Sequence, residues 1–437
     1  MLISNRERLD FLLKAHNEIR SRFCSTPQQD FYVNKLSDSW KRAARAEAYR
    51  MLPAFSMEEF HSLPVTPKAA LKADPWNFLT VGLNEAAKYY ETTGTSGQVT
   101  PTPRMFEDVA WNVVSVAQAW SSVLRPEDRV AVLLPSDVVP VGDLAVGVCE
   151  YLAIPHSRVY PLAAGISDWD RLIMLWRSFG PTVLFVAPGM ALQLTRLLKQ
   201  RGLFSELSET VRTLMLLGEV STPALCKRLG RWWNASAYDA SYGSTETGTL
   251  AATCGAGRLH LLTATNYVEL AIDDTVVTLA EASRGRLVVT PLNLYARPLL
   301  RFDTGDEVII GDGCGCGNAA PIVTVCGRVS DGVLVRGVKL TVHAVEDIVY
   351  SASTATGYLV ELDGTGDHAR LLLERDVNAD RAAEVEEKLA VEGMTRAHLG
   401  LEWNEIDFVN TLPVTTKSGG SQKSWKRSNI RVVDRAS

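Results

Sequence analysis

The chain has 437 residues, which is enough for one large domain and a smaller one. Apolar residues make up 46% of it and charged residues 22%, a composition typical of globular proteins and not of disordered or fibrous ones. The net charge is −5 and Lys and Arg do not occur in blocks, which argues against nucleic acid or an anionic membrane as a partner and favours a small-molecule substrate.

The N-terminal segment, residues 1–23, carries charges between its apolar positions. This pattern predicts an amphipathic helix rather than a signal peptide or a membrane span, and we therefore expect a cytoplasmic protein. The chain has seven cysteines, which without a secretion signal argue against a disulfide framework and leave free thiols or a metal site.

Short apolar runs that end at Pro, Gly or a polar residue predict buried strands at 129–135, 182–188, 213–219 and 285–292. Helical patterns lie between the first three runs, at 169–179 and 190–202, and a glycine follows the second where a helix would end. Strands that alternate with helices predict a parallel sheet covered on both faces.

The pattern changes after about residue 328. Short strand-like runs and one charged helix then follow, which predicts a separate small α+β domain, and Ser, Gly, Lys and Arg in 415–427 predict a loop. We expect an α/β protein with a large N-terminal domain, residues 1–328, and a small mobile α+β domain, residues 329–437, joined by a hinge near Asp331.

A loop of glycines and hydroxyl residues lies at 92–97. Small residues let backbone N–H groups approach phosphate oxygens, and the Thr and Ser hydroxyls add further donors. Alone, such a cluster is more often a solvated turn. No Lys-Ser or Lys-Thr pair follows its second glycine, so a P-loop kinase or GTPase is disfavoured.

The segment 240–248 combines an aromatic ring, glycine, hydroxyls and one carboxylate. Tyr242 could stack on a base, Thr245 could contact a phosphate, and Glu246 could hold a Mg²⁺ that bridges phosphates. An ordinary surface turn is the alternative.

Two further candidates follow along the chain. Asp306 lies between a turn and an apolar run, where a carboxylate can accept hydrogen bonds from both ribose hydroxyls. Arg328 could reach a ribose or a phosphate, and Asp331 lies where a hinge would be. Taken singly, Asp306 is more often a plain turn aspartate.

These segments in this order, with the sequence Leu-Gly-Glu at 217–219 and a Lys-rich C-terminal loop, resemble the adenylate-forming superfamily. That superfamily contains acyl-CoA synthetases, adenylation domains of peptide synthetases and luciferases. The stretches 297–306 and 327–340, together with the length, are most similar to the phenylacetate-CoA ligase branch. The resemblance spans roughly residues 85–427, and the ordered set is more specific than any single member.

The resemblance implies an AMP-forming ligase. In that reaction an oxygen of a carboxylic acid attacks the α-phosphorus of ATP, pyrophosphate leaves, and the acyl-AMP then passes its acyl group to coenzyme A. It implies that Glu246 binds Mg²⁺ and takes part in catalysis. The residues that it assigns to ATP or AMP are Thr92, Thr93, Gly94, Thr95, Ser96, Gly97, Gly218, Glu219, Tyr242, Gly243, Thr245, Asp306 and Arg328.

The resemblance also implies a catalytic lysine in the C-terminal loop. The order of Gly, Lys and a basic pair favours Lys423, but Gln422 shifts the register, so Lys417 and Lys426 stay open. Gln98 stands where the family usually carries a lysine, which leaves the strength of ATP binding open. Between the two half-reactions, the small domain is expected to rotate about Asp331.

Cys254 and His260 form a Cys-x5-His pair, and Cys314 and Cys316 form a Cys-x-Cys pair. Three thiols and one imidazole match a closed tetrahedral Zn²⁺ site, which would be structural because four protein ligands leave no open position. Unliganded thiols beside a surface histidine are the alternative. A Cys-His nucleophile pair is a further alternative, but no orienting partner is evident in the sequence.

Many aromatic residues between the loop and Glu246 favour an aryl acid, including amino- or hydroxy-substituted ones. Transfer to a carrier-protein thiol or an amine, or activation of another oxyanion, are alternatives to transfer to coenzyme A. A non-catalytic nucleotide-binding relative is the alternative from another class. The sequence leaves the oligomeric state open, with a homodimer among the options.

Overall fold

The computed structural model describes residues 5–23, 27–92, 99–135, 137–163, 165–219, 221–273, 275–328, 332–377, 379–413 and 429–433. The chain divides into two compact units, residues 1–160 with 240–326 and residues 161–239 with 327–437. In the described part of the chain, no helix has the length and apolar character that a membrane span requires. The predicted domains, 1–328 and 329–437, stay predictions, and the predicted hinge Asp331 lies outside the described residues.

Helices and strands occur throughout both units. The α-helices are α1 (Arg6–Arg22), α2 (Gln29–Ala43), α3 (Met57–Ser62), α4 (Lys68–Ala73), α5 (Phe106–Trp120), α6 (Pro140–Tyr151), α7 (Trp169–Phe179), α8 (Pro188–Gln200), α9 (Phe204–Ser208), α10 (Pro223–Trp233), α11 (Val342–Ala352) and α12 (Glu384–Leu399). Short 3₁₀ turns lie at Glu47–Tyr49, Pro75–Phe78, Leu83–Glu85 and Arg381–Ala383.

The strands are β1 (Lys88–Thr92), β2 (Thr100–Arg104), β3 (Val130–Leu133), β4 (His156–Arg158), β5 (Val183–Val186), β6 (Thr213–Leu216), β7 (Ser236–Asp239), β8 (Ser241–Ser244), β9 (Gly248–Thr253), β10 (Leu259–Leu261), β11 (Asn266–Ile272), β12 (Thr275–Thr278), β13 (Arg284–Pro291), β14 (Phe302–Gly311), β15 (Ile322–Arg328), β16 (Val333–Val335), β17 (Val338–Leu340), β18 (Gly357–Leu362), β19 (Ala369–Glu374), β20 (Glu405–Val409) and β21 (Ile430–Val432).

The first unit is organised around an eight-stranded sheet in the order β12-β11-β13-β14-β15-β10-β9-β8. Its apolar side chains form one core with residues from α2, α3 and α4, among them Trp40, Phe60 and Leu71. Helix α1 packs its apolar face on α5, where Ala15 and Ile19 meet Trp111. The predicted N-terminal amphipathic helix is therefore present, and Asn5 caps its first turn through a 2.9 Å hydrogen bond.

The four apolar runs predicted as strands all form strands, namely β3, β5, β6 and β13. The pairs β3–β4, β5–β6 and β6–β7 are parallel, as the alternation with helices predicted. Helix α7 begins after the capping side chain of Asp168 and ends at Gly180, which has a φ of 58°. The run 285–292 departs from this pattern, because β13 pairs antiparallel with β11 and β14.

The second unit contains the parallel strands β5 to β7 and a four-stranded sheet in the order β20-β19-β18-β21. Polar side chains join α8 and α10 to the C-terminal segment of this unit. Arg228 donates to the carbonyl of Tyr350 over 2.9 Å, and the backbone N–H of Thr222 donates to Glu346 over 3.1 Å. Arg196 pairs with Glu374 over 3.3 Å, so charges as well as apolar contacts hold these parts together.

Candidate functional site

Glu246 lies in a tight turn between β8 and β9 and is buried. Two glycines shape this turn. A Cβ at Gly243 would lie 2.3 Å from the carbonyl oxygen of Gly248, and Gly248 itself has a φ of +78°. Asn112 of α5 accepts a 2.9 Å hydrogen bond from the N–H of Thr249, so the turn is fixed to the helix behind it.

Three cations lie near Glu246. Lys68 places its Nζ 3.4 Å from Oε1. Arg104 donates to the backbone carbonyls of Thr245 and Glu246 over 2.7 and 2.8 Å, and Arg297 acts at longer range. Burial raises the pKa of Glu246, but Lys68, local hydrogen bonds and Arg297 lower it, and the net shift is downward. The carboxylate is thus held in the charged form that a Mg²⁺ ligand requires.

Tyr242 and Asp306 are direct neighbours. The Tyr242 hydroxyl donates to Asp306 Oδ2 over 2.8 Å. Asp306 lies within β14 and not after a turn as predicted: the strand has an irregularity in its pairing with β13 there, Gly305 has a φ of +75°, and the N–H of Asp306 donates to the Thr304 hydroxyl over 3.1 Å. Two residues predicted for the base and the ribose therefore meet within the first unit, on strands β8 and β14.

The loop predicted to bind phosphate connects β1 to β2. Thr92 pairs with Thr100 across this hairpin, and its hydroxyl accepts the N–H of Thr100 over 3.1 Å. The remaining loop residues Thr93, Gly94, Thr95, Ser96 and Gly97 lie outside the described residues, as does Gln98. The structure therefore describes the base of this loop.

Two buried arginines make hydrogen bonds that involve the hairpin: Arg104 joins it to the glutamate turn, and Arg297 joins it to the segment before β14. Arg104, the last residue of β2, donates to the carbonyls of Thr245 and Glu246 in that turn. Arg297 donates to the carbonyl of Pro101 over 2.6 Å and to the hydroxyl of Thr102 over 2.9 Å. Burial, with the nearby charge of Arg104, lowers the pKa of Arg297 to about 9. The loop base and Glu246 are thus parts of one cross-linked polar layer.

The sequence prediction missed Lys68, Arg104 and Arg297 as neighbours of Glu246. Arg297 is the first residue of the stretch 297–306, one of those on which the resemblance rested, and this was the sequence signal for it. Lys68 and Arg104 gave none, because each is an ordinary basic residue at one end of a short element.

The structure brings Cys254, His260, Cys314 and Cys316 together, with all four ligand atoms within 4.8 Å of one another. Cys254 Sγ lies 3.6 Å from Cys314 Sγ, and Cys316 Sγ lies 3.4 Å from His260 Nε2. A tetrahedral Zn²⁺ with bonds of about 2.3 Å to sulfur and about 2.05 Å to nitrogen would separate its ligands by about 3.8 and 3.6 Å. The two measured distances are therefore close to those of a tetrahedral zinc site.

The His260 ring is oriented for such a role. Its side chain is 2% exposed, and Nδ1 lies 2.7 Å from the carbonyl oxygen of Ala320. Since that carbonyl can only accept, Nδ1 carries the proton and Nε2 presents its lone pair to the three sulfurs.

The other predicted residues belong to the second unit or are not described. Gly218 has a φ of +87° after β6, and the Glu219 carboxylate accepts the N–H of Gly189 over 3.2 Å. Arg328 is the last residue of β15. The C-terminal lysines Lys417, Lys423 and Lys426 lie outside the described residues.

No family model matches the chain. It is 26% identical over 329 residues to a phenylacetate-coenzyme A ligase of Thermus thermophilus, covering 73% of this chain and 72% of the relative. It is 24% identical over 355 residues to a phenylacetate-coenzyme A ligase of Aromatoleum evansii, covering 77% of each. These similarities confirm the predicted resemblance and the predicted class of enzyme.

Solved structures confirm the fold class. A 2-hydroxyisobutyryl-CoA ligase in the postadenylation state, with its acyl-AMP bound, aligns with a TM-score of 0.77 at 19% identity, covering 92% of this chain and 89% of that one. An anthranilate CoA ligase bound to anthranoyl-AMP aligns with a TM-score of 0.52 at 16% identity, covering 76% and 65%.

Proposed function

We propose that this chain, an AMP-forming ligase related to the phenylacetate-CoA ligases, activates an aryl carboxylic acid as its acyl-AMP and transfers the acyl group to coenzyme A. The observation that carries the proposal is the set of contacts around the turn that holds Glu246. There a buried, charged carboxylate lies in the turn that follows β8, the strand whose Tyr242 hydrogen-bonds to Asp306, and Arg104 links this turn to the hairpin that bears the Gly/Thr/Ser loop.

Each part has a role in the first half-reaction. The loop 92–97 and Thr245 would donate hydrogen bonds to phosphate oxygens, and Asp306, oriented by Tyr242, would accept from the ribose hydroxyls. Glu246 would hold Mg²⁺, which neutralises phosphate charge when it is bound. The buried arginines keep these groups in place before ATP arrives, so less reorganisation accompanies the reaction.

The remaining assignments are part of the same proposal. Gly218 and Glu219 would line the adenine pocket, and Arg328 would contact the ribose. Lys423 would stabilise the charge that develops at the α-phosphate, with Lys417 and Lys426 as alternatives. Residues 1–328 and 329–437 would act as two domains that rotate about Asp331 between the half-reactions.

The Cys/His cluster would hold a structural Zn²⁺. All four ligand positions are occupied by protein atoms, so no position is left for a substrate. By joining the loop after β9 and the loop after β14, the ion would fix the strands that carry Glu246 and Asp306.

The choice of acid rests on the aromatic residues and on the type of relative. Phenylacetate is the acid named for the curated relatives, and anthranilate is the acid of one structural neighbour. Both are aryl acids, whereas the 2-hydroxyisobutyryl-CoA ligase is named for an aliphatic one. Among the alternative acceptors, a carrier-protein thiol or an amine would use the same first half-reaction.

The test is acid-dependent exchange of labelled pyrophosphate into ATP, scanned over benzoates, arylacetates, fatty acids and amino acids. We expect exchange with aryl acids, and a clear preference for long-chain fatty acids would contradict this choice. Product analysis with and without coenzyme A then identifies the acceptor. Tight ATP binding without exchange for any acid would favour a non-catalytic nucleotide-binding protein.

A matched set of variants tests the catalytic lysine. Lys423→Ala should remove most exchange while thioester formation from synthetic acyl-AMP continues, because the two half-reactions use different positions of the C-terminal domain. Lys417→Ala and Lys426→Ala in the same loop serve as controls. Normal exchange in Lys423→Ala, with loss in one of the controls, would move the role to that residue.

A further inference from the structure

The segment before α4 is fixed to the start of β14. The N–H of Thr66 donates to the carbonyl of Arg301 over 2.9 Å, and its carbonyl accepts the N–H of Asp303 over 3.0 Å. These two bonds form a parallel bridge between Thr66 and Phe302. Lys68, two residues later, is therefore held beside the strand that carries the proposed ribose-binding aspartate.

The contact between Lys68 and Glu246 is loose. The Nζ–Oε1 distance is 3.4 Å, longer than the 2.7–2.9 Å that is usual for a hydrogen bond between an ammonium and a carboxylate. The Lys68 side chain is 23% exposed and that of Glu246 is 4% exposed. A long, flexible ammonium side chain at the edge of the site can turn to another anion without unburying the carboxylate.

The other two cations near Glu246 are held more firmly. Arg104 is 6% exposed and Arg297 is 0% exposed, and both donate to backbone carbonyls of the site. These hydrogen bonds fix the backbone of the glutamate turn and of the hairpin. Of the three cations, Lys68 is the one whose charge remains accessible to a ligand.

The proposed reaction requires a cation at the phosphates that leave. The triphosphate of ATP carries several negative charges, and Mg²⁺ neutralises only part of them. The loop and its flanks, residues 92–103, contain no lysine or arginine.

We propose that Lys68 binds the phosphate oxygens that depart as pyrophosphate and so supplies the charge that the loop lacks. In the free protein its ammonium pairs with Glu246. If Glu246 held Mg²⁺, the Lys68 ammonium would turn from that carboxylate to the phosphates. This inference rests on the proposed function, because it assigns a role within the same ATP site.

Binding titrations with MgATP, magnesium pyrophosphate and AMP test the proposal without requiring turnover. Lys68→Met keeps the length of the side chain and removes its charge. We expect MgATP and pyrophosphate to bind about 10- to 100-fold more weakly, as for the loss of one charge-assisted hydrogen bond, and AMP to change less than twofold. Lys68→Arg should restore much of the loss, and Lys72→Met, on the same helix, is the matched control.

A double-mutant cycle with Glu246→Gln separates a direct phosphate contact from an effect that acts through the carboxylate. A direct contact predicts that Lys68→Met still weakens ATP and pyrophosphate binding in the Glu246→Gln background. The proposal is overturned if that loss disappears there, if AMP is affected as strongly as ATP, or if Lys72→Met gives the same loss.

The two proposals fail in different ways. If the wild-type protein binds MgATP but shows no exchange, the proposed function is refuted, and the binding titrations still test the role of Lys68. Normal exchange with unchanged MgATP affinity in Lys68→Met refutes only the role of Lys68. Wild-type protein that binds no MgATP refutes both.

Discussion

Replacing Cys254 by Ser tests the zinc site. Cys254 is 6% exposed, and its sulfur lies 3.6 Å from that of Cys314, so the variant loses one of the proposed ligands with almost no change in volume. We expect the wild-type protein to contain one zinc per chain and the variant to lose most of it. Cys326→Ser, on β15 outside the cluster, makes the same atomic change and serves as the control.

The size of the effect follows from mass action. If free zinc exceeds its dissociation constant about 1,000-fold, bound zinc stabilises the folded state by about 4 kcal/mol. For a folding unit of about 250 residues, each kcal/mol shifts Tm by about 2–4 °C, so losing the ion should lower Tm by about 8–16 °C. The first unit, residues 1–160 with 240–326, contains all four ligands and should show the shift.

Elemental analysis measures the zinc content, and calorimetry measures Tm with and without a chelator. Replacing zinc by Co²⁺ should give the absorption bands of a tetrahedral cobalt–thiolate site, which a surface histidine beside free thiols would not produce. The reasoning is refuted if the purified wild-type protein holds no zinc after growth with zinc, or if Cys254→Ser and Cys326→Ser have the same metal content and Tm.

Arg301→Met should lower the free energy of unfolding by about 3–5 kcal/mol, because it leaves Glu269 buried and charged without its partner. That carboxylate is 2% exposed and lies 3.1 Å from the guanidinium, and a loss below about 1 kcal/mol in urea unfolding would contradict the expectation. Glu346→Gln should flatten the pH dependence of stability. Burial, with the like charges of Glu219 and Asp347, raises the pKa of Glu346 to about 8, so wild-type stability should fall as the pH rises towards 8. Urea unfolding from pH 5 to 8 measures the two slopes, and equal slopes would refute this assignment.

The elements that the sequence predicts correctly are those whose pattern is local. The run 182–188 contains β5, whose residues are all buried. A strand of this kind can be predicted from its own apolar residues, without information about the elements beside it. The cluster of Cys254, His260, Cys314 and Cys316 is long-range, yet it was predictable because thiols and imidazoles in paired spacing have few other uses. The chemistry of these side chains made the cluster recognisable although its residues lie far apart in the chain.

The polar layer under the site could not be predicted in the same way. Arg104 holds the carbonyl of Glu246 from 142 residues away, and Arg297 holds the hydroxyl of Thr102 from 195 residues away. A buried arginine is indistinguishable in sequence from an exposed one, since its burial depends on which carbonyls the fold supplies. Lys68 opens a short helix with a second lysine, which is also the pattern of a solvated surface helix.

The buried Asp108 explains why this layer can be charged and still stable. It accepts the N–H groups of Met105 and Ala296 over 2.8 and 3.3 Å, which anchors the segment that bears Arg297 to the start of α5. Burial raises the pKa of Asp108 more than Arg104 and these hydrogen bonds lower it, so the net shift is upward. The charged Glu246 carboxylate thus offsets part of the charge of the two arginines before any ligand binds, and Asp108 fixes the segment that carries Arg297. A triphosphate would then enter a site whose fixed charges are already positioned, and Lys68 would be the cation left to move.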